Sequence, residues 1–165
     1  MNSPVKTKAW FSSQVAENQA AMFRVARSIL HTDEDAEDAV QEAICSAYEK
    51  LDSLRDPERF KAWLLRILAN QCYSACRRSR PTVALSEIQD VLPAAGTDST
   101  ERLTLWQAVE SLPPDLRVTI ALFYYEDCSI RQISGILGLS QAAVKTRLHR
   151  GRERLKQILN EEETA

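Results

Sequence analysis

Residues 129–156 read SIRQISGILGLSQAAVKTRLHRGRERLK. They hold seven basic side chains, Arg131, Lys145, Arg147, Arg150, Arg152, Arg154 and Lys156, against one acid, Glu153, for a local charge of +6. The whole chain of 165 residues is formally −2. Cations gathered in this way neutralise phosphates, so the chemistry on offer is nucleic-acid binding. Bond-making chemistry is poorly served. The two histidines, His31 and His149, are far apart, and the four cysteines, Cys45, Cys72, Cys76 and Cys128, form no CxxC pair. Cys72 and Cys76 share a helix face at i, i+4, but a zinc site needs four ligands in tetrahedral array. Without a nucleophile–base pair or a ligand set, a small hydrolase or metal enzyme is the poorest reading. The expectation is a non-enzyme with no catalytic, cofactor or metal site, its cysteines structural or incidental and unpaired in a reducing compartment.

The same stretch has helix-turn-helix grammar. A first helix over about 129–137 is ended by Gly138 in the left-handed region. Ser140 caps a second helix. Ile133, Ile136, Leu137, Leu139, Val144 and Leu148 can share a core, and Ser134 supplies a small residue. The second helix then exposes Lys145, Thr146, Arg147, His149, Arg150 and Arg152, a surface that fits a DNA major groove. A merely solvated basic face is the competing reading. The order of glycine, serine cap and buried valine favours the groove-binding one. Most contacts at such an interface go to phosphate.

The rest of the chain must position this unit. At 44% hydrophobic residues, with few glycines and prolines, a packed helical core is expected. Residues 15–31 place Met22, Phe23, Val25, Ala26, Ile29 and Leu30 at helical spacing. Residues 33–51 form a second amphipathic helix, capped by Thr32 or Asp33, with an acidic outer face of Asp35, Glu37, Asp38, Gln41 and Glu42. A loop, DSLRDPER, leads to a third helix over 58–78, with Pro57 in its first turn and Arg77, Arg78 and Arg80 at its end. Residues 81–99 lose periodicity and read as a linker. A short helix in 100–112 is expected to use Asp98 and Glu101 as a capping box, and another follows Pro113 and Pro114.

The third helix offers a second nucleic-acid surface. Phe60, Trp63 and Tyr73 sit among Lys61, Arg66, Arg77, Arg78 and Arg80, and aromatic faces beside cations suit unstacked bases. Phe60 and Trp63 lie on the apolar stripe and are expected in the core. Arg66 and Asn70, at i, i+4, share a polar face beside the SLRDPE loop.

Four stretches, DAEDAVQEAICSAYEKLDSL, FKAWLLRILANQCYSACRR, SLPPDLRVTIALFYYEDCSIRQISGILGLS and AAVKTRLHRGRERLK, together resemble the bacterial RNA polymerase sigma factors of the extracytoplasmic-function (ECF) group. The resemblance spans about residues 15–158. It implies an all-α chain of two small helical domains: a sigma-2 bundle over 10–80, a flexible linker over 81–99, and a sigma-4 helix-turn-helix domain over 100–160. It implies that Asp35, Asp38, Gln41 and Glu42 meet the clamp helices of the polymerase beta-prime subunit, and that sigma-4 meets the beta flap. Leu54, Arg55, Arg66 and Asn70 fall at positions that open and read the minus-ten element, with Arg77 and Arg78 beside them on the DNA. Lys145, Thr146, His149 and Arg150 fall on the helix that reads the minus-thirty-five element, with Arg147 and Arg152 on the same surface. Core polymerase, promoter DNA and a silencing anti-sigma factor are the implied partners.

No run approaches the roughly 20 apolar residues of a membrane span, and the N-terminal residues lack a secretory apolar region. The expected location is the cytoplasm, without membrane insertion. An ordinary helix-turn-helix regulator, with residues 1–80 as a sensing or dimerising domain, is the alternative, and would bind duplex without polymerase. A protein-binding adaptor is a further rival. It would have no use for groove-facing Lys145, His149 and Arg150.

Overall fold

The computed structural model describes residues 6–78 and 104–164, and every regular element among them is helical. Helix α1 spans Lys8–Ile29, α2 Asp33–Glu49 and α3 Phe60–Arg78. These form the first module. Helix α4 spans Leu105–Glu110, α5 Pro114–Ile120, α6 Ile130–Leu137 and α7 Gln141–Thr164, and these form the second. The linker expected over 81–99 lies outside the described residues, as do Arg80 and the Asp98 and Glu101 pair. At the start of α4, Thr104 and Gln107 form a capping box, each side chain bonding the other's backbone N–H.

Local sequence explains most boundaries. Thr7 accepts from the Trp10 N–H and starts α1 seven residues before the expected helix. Between the two candidate caps for α2, Thr32 is the one used, its hydroxyl accepting from the Asp35 N–H at 3.0 Å. Asp33, Glu34 and Asp35 then fill the positively polarised first turn. Two 3-10 turns, Leu51–Ser53 and Pro57–Arg59, replace a shapeless loop before α3. Asp56 caps the second of them through the Glu58 N–H at 3.0 Å. Helix α5 runs on into a wide turn of π type over Ala121–Tyr125, so the apolar run 114–125 is not one regular α-helix.

The first module buries Met22, Val25 and Ala26 of α1, Ala36, Ala39, Val40, Ala43 and Ala47 of α2, and Phe60, Leu64, Leu65 and Leu68 of α3. The alanine stripe on α2 lets that helix lie close to its neighbours. In the second module Val118, Ile120 and Leu122 pack with Ile133, Ile136, Val144 and Leu148. Helix α7 crosses α5 at Gly151, where a Cβ would stand 2.7 Å from Ile120 Cγ1 and 2.8 Å from Ile120 Cδ1. Gly151→Val forces that fully packed isoleucine aside. It is expected to cost about 1–3 kcal/mol of stability, read as a lower urea midpoint at unchanged slope.

The modules do not stand apart: α3 packs on α6, and α1 packs on α5. Arg117 of α5 is buried and donates from Nε to the Ser28 carbonyl of α1 at 2.7 Å. Glu126 is also buried, and it pairs with Arg24 of α1 and Lys61 of α3.

Candidate nucleic-acid interface

The helix-turn-helix is fixed almost wholly by local hydrogen bonds. Ser129 Oγ accepts from the Gln132 N–H at 3.0 Å, and Gln132 Oε1 accepts from the Ser129 N–H at 2.9 Å. This reciprocal capping box starts α6. Gly138 ends it with φ 69° and ψ 37°, its N–H donating to the Ser134 carbonyl. The small Ser134 side chain closes the turn from the other side, its hydroxyl donating to the Leu139 carbonyl. Ser140 Oγ then accepts from the Ala143 N–H at 3.0 Å and opens α7. Val144 and Leu148 point inward, so the intervening positions of α7 point out.

That outward face carries Lys145, Thr146, His149, Arg150 and Arg152, all exposed. Lys145, His149 and Arg152 follow one another at i, i+4, i+7 along one line. Thr146 turns its hydroxyl back to the Ala142 carbonyl at 3.1 Å, leaving its methyl outward. Arg152 is not a free cation: it donates to the Tyr124 hydroxyl at 3.0 Å. Arg147 differs from the rest. It is half-buried and, with Tyr73 of α3, lines a cleft of about 280 Å³ between the modules. Burial raises the Tyr73 phenol above its ordinary pKa, a shift that the nearby Arg147 opposes.

On the first module, Arg55, Arg66, Asn70, Arg77 and Arg78 are exposed. Arg66 and Asn70 share one face of α3, and Arg78 donates to Ser74 Oγ at 3.3 Å. Leu54 is the exception. Its side chain is core, 3% exposed, while its carbonyl accepts from Lys6 Nζ at 2.6 Å. It anchors the 51–59 segment and presents no side chain to a ligand. Phe60 is core, as expected, and Trp63 is half-buried against it, ring centroids 5.7 Å apart. Neither aromatic is offered freely for stacking.

Asp35, Asp38, Gln41 and Glu42 lie exposed along α2. Glu42 accepts from Gln71 Nε2 of α3 at 2.5 Å, which ties the end of that acidic face to the third helix. Sequence reasoning misses Lys6, Gln71 and Tyr124 as supports of these surfaces. No periodicity marks them, because each acts across a gap of 28 residues or more.

The four cysteines are free thiols. Burial pushes Cys72 up to about 12 and Cys128 up to about 11, so neither offers a thiolate. Among the described residues no three His, Cys, Asp or Glu side chains gather as a metal site. Among the described residues, too, no helix is long and apolar enough to cross a membrane. The surfaces that remain are a cationic helix on one module, a mixed polar and basic face on the other, and an acidic helix.

Comparison with known proteins identifies the family of the chain. The family model of sigma-70 region 2 matches residues 14–82, and that of sigma-70 region 4 matches residues 102–155. RNA polymerase sigma factor SigV of Bacillus subtilis is 27% identical over 164 residues, covering 99% of both chains. ECF RNA polymerase sigma factor SigM of Mycobacterium tuberculosis is 30% identical, over 90% of this chain and 76% of its own. ECF RNA polymerase sigma factor SigW of Bacillus subtilis is 34% identical, over 77% of this chain and 76% of its own. Among solved structures, the sigma factor RpoE of Bartonella quintana, in complex with the anti-sigma factor NepR, superposes with a TM-score of 0.72. It is 28% identical, with 91% of this chain and 96% of that chain covered. CnrH in complex with the cytosolic domain of CnrY superposes with a TM-score of 0.67, at 27% identity, covering 94% of this chain and 91% of that one.

Proposed function

The chain belongs to the extracytoplasmic-function group of RNA polymerase sigma factors, and on that premise we propose how its surfaces divide the steps of starting transcription. The chain directs core RNA polymerase to promoters. The bond-making chemistry is the polymerase's, and the sigma factor is not an enzyme. Residues 10–80 act as the sigma-2 domain, 81–99 as the linker and 100–160 as the sigma-4 domain. The acidic face of α2, through Asp35, Asp38, Gln41 and Glu42, meets the beta-prime clamp helices, and sigma-4 meets the beta flap. Arg55, Arg66, Asn70, Arg77 and Arg78 face the minus-ten element, while Leu54 shapes the loop from within. Lys145, Thr146, His149, Arg150 and Arg152 face the minus-thirty-five element. Arg147 joins them once the cleft against Tyr73 opens. Captured bases on the first module offset the cost of unstacking, and linking two readers raises the effective concentration of the second once the first has bound.

An anti-sigma factor is the proposed regulator, because both solved relatives above are complexes with an anti-sigma factor or a cytosolic partner domain. The proposed location is the cytoplasm. The observation that carries the reading is the co-occurrence, in one chain, of a capped groove-facing cationic helix and a second module with its own exposed basic face.

Run-off transcription with bacterial core polymerase on a library of promoter fragments tests it. Protein-dependent transcripts sharing two spaced elements are the expected result. Duplex binding by the protein alone, without transcripts, would instead identify a conventional helix-turn-helix regulator. On a promoter found this way, Arg150→Ala is expected to weaken use of the minus-thirty-five element by about 1–3 kcal/mol, the range for losing a base contact. Output equal to wild type at every base of that element would remove Arg150 from the readout.

A further inference from the structure

We propose that Tyr124 and Arg152 form a grip on one phosphate of the DNA backbone beside the minus-thirty-five element, with the tyrosine holding the arginine and donating its own O–H to the same phosphate. The inference rests on the reading that α7 lies in the major groove, and it adds a contact residue from outside that helix.

The grip is set up by a close crossing of helices. Gly151 of α7 lies on Ile120, the last residue of α5, where a Cβ would stand 2.7 Å from Ile120 Cγ1. Bare backbone at that point lets the two elements approach, and it brings together the residues that flank the crossing. Arg152 follows Gly151 directly. Tyr124 stands in the wide turn Ala121–Tyr125 that continues α5. That turn, of the π type often found at functional sites, sends two consecutive tyrosines different ways. Tyr125 packs on Trp106, ring centroids 4.9 Å apart, while Tyr124 reaches α7. Phe123 steadies the Tyr124 ring edge-on, centroids 4.9 Å apart at 78°.

The polar ends then select the ligand. Arg152 Nη1 donates to the Tyr124 hydroxyl at 3.0 Å. The hydroxyl oxygen is the acceptor there, so its own proton is left for another acceptor. Tyr124 is 48% exposed and Arg152 is exposed too, so both groups face solvent. The neighbouring acid, Glu153, pairs with Lys156 at 4.0 Å. The pair thus offers a neutral donor and a cationic donor side by side, which suits an anion with several oxygens. Arg152 ends the line of Lys145, His149 and Arg152, and Tyr124 is rooted in a different element. A side chain that reaches the flank of a groove-filling helix from outside meets the strand lining the groove. Phosphates run there, and arginine and tyrosine contacts to them fix the register of protein on duplex. Tethering also orders the arginine before contact, so less rotamer freedom is lost on binding.

Promoter binding by the full chain with core polymerase tests the grip, on duplexes carrying one neutral methylphosphonate at successive positions of the minus-thirty-five element. At the gripped phosphate the wild type is expected to lose affinity about three- to tenfold, the worth of a hydrogen bond to a charged group. Tyr124→Phe keeps the ring and its packing, so an unchanged urea midpoint is expected. On unmodified DNA Tyr124→Phe and Arg152→Gln are each expected to bind about three- to tenfold more weakly. Both are expected to shrink the loss at that one phosphate below about twofold, because the two groups act as a unit, and to keep the wild-type losses elsewhere. Arg152→Gln is further expected to flatten the slope of log affinity against log salt by about 0.9, one phosphate's share. A purely structural role for Tyr124 would weaken binding at every position alike, and a base contact would leave the phosphate profile unchanged. Either result, or a Tyr124→Phe chain that binds as the wild type does, would overturn the proposal. If polymerase forms no promoter complex but the chain alone binds duplex, the initiation reading fails while the same scan on that duplex still decides the grip. If no duplex is bound in either form, both fall.

Discussion

Phe60→Ala is expected to destabilise the first module by about 3–5 kcal/mol, the largest effect of any single substitution considered for this chain. Phe60 is 2% exposed and opens α3, directly after the 3-10 turn at Pro57–Arg59. Its ring meets Trp10 edge-on at 5.3 Å, Phe11 edge-on at 5.9 Å and Trp63 at 5.7 Å. Phe11 in turn touches Tyr48 of α2 at 5.2 Å. The phenyl group thus joins α3 to α1, and the cluster reaches α2 through Phe11. Removing it loses its transfer free energy and leaves a void that three large rings cannot easily fill by small shifts. Urea unfolding followed by helical circular dichroism checks the value. Phe60→Leu, which refills most of the space, is expected to lose much less. A Phe60→Ala loss below about 1 kcal/mol would mean that the aromatic cluster collapses around the gap.

Arg117→Ala is expected to cost about 2–4 kcal/mol, because it leaves several buried acceptors unpaired at once. Arg117 Nη1 donates to the Glu110 carbonyl at 3.2 Å and to the Leu112 carbonyl at 3.1 Å, while Nε donates to the Ser28 carbonyl. Glu110 ends α4 and Leu112 follows it, so the guanidinium caps the negatively polarised end of that short helix. The site is demanding for a cation. Burial lowers the Arg117 pKa, as does the neighbouring Arg27, while Glu110 raises it. A planar fork serves three carbonyls in a way an ammonium cannot, so Arg117→Lys is expected to recover only part of the loss. Arg117→Met keeps the apolar stem and removes the charge. If it proved as stable as wild type, desolvation of the cation would be offsetting its hydrogen bonds in full. Thermal and urea unfolding of the three variants separate these outcomes.

Both residues show where sequence reasoning stops. Phe60 is legible as core because it recurs with Leu64 and Leu68 at helical spacing. Arg117 is not, since an arginine within PPDLRVTIALFYY looks like any exposed charge on an amphipathic helix. Glu126 is hidden in the same way: an acid closing an apolar run reads as a solvated helix end. Arg152 reads as a groove-facing cation, and nothing in the spacing announces its tether to Tyr124. Resemblance places Leu54 beside the minus-ten element, whereas burial assigns its side chain to the core.

By itself the sequence determined what depends on neighbours within a few residues. The capping box of α6, the left-handed Gly138, the Ser140 cap, the acidic first turn of α2 and the outward cationic line on α7 are all set by spacings of at most seven residues. Helix periodicity and hydrogen-bond caps act over that range, so they can be read along the chain. Tertiary structure alone decided which charges were buried and with what partner. Arg24 and Glu126 are 102 positions apart, and Ser28 and Arg117 are 89 apart. A charge goes inside only where folding brings a counter-charge or a set of carbonyls to meet it. That compensation is a property of two surfaces in contact, with no signature in either stretch of sequence alone.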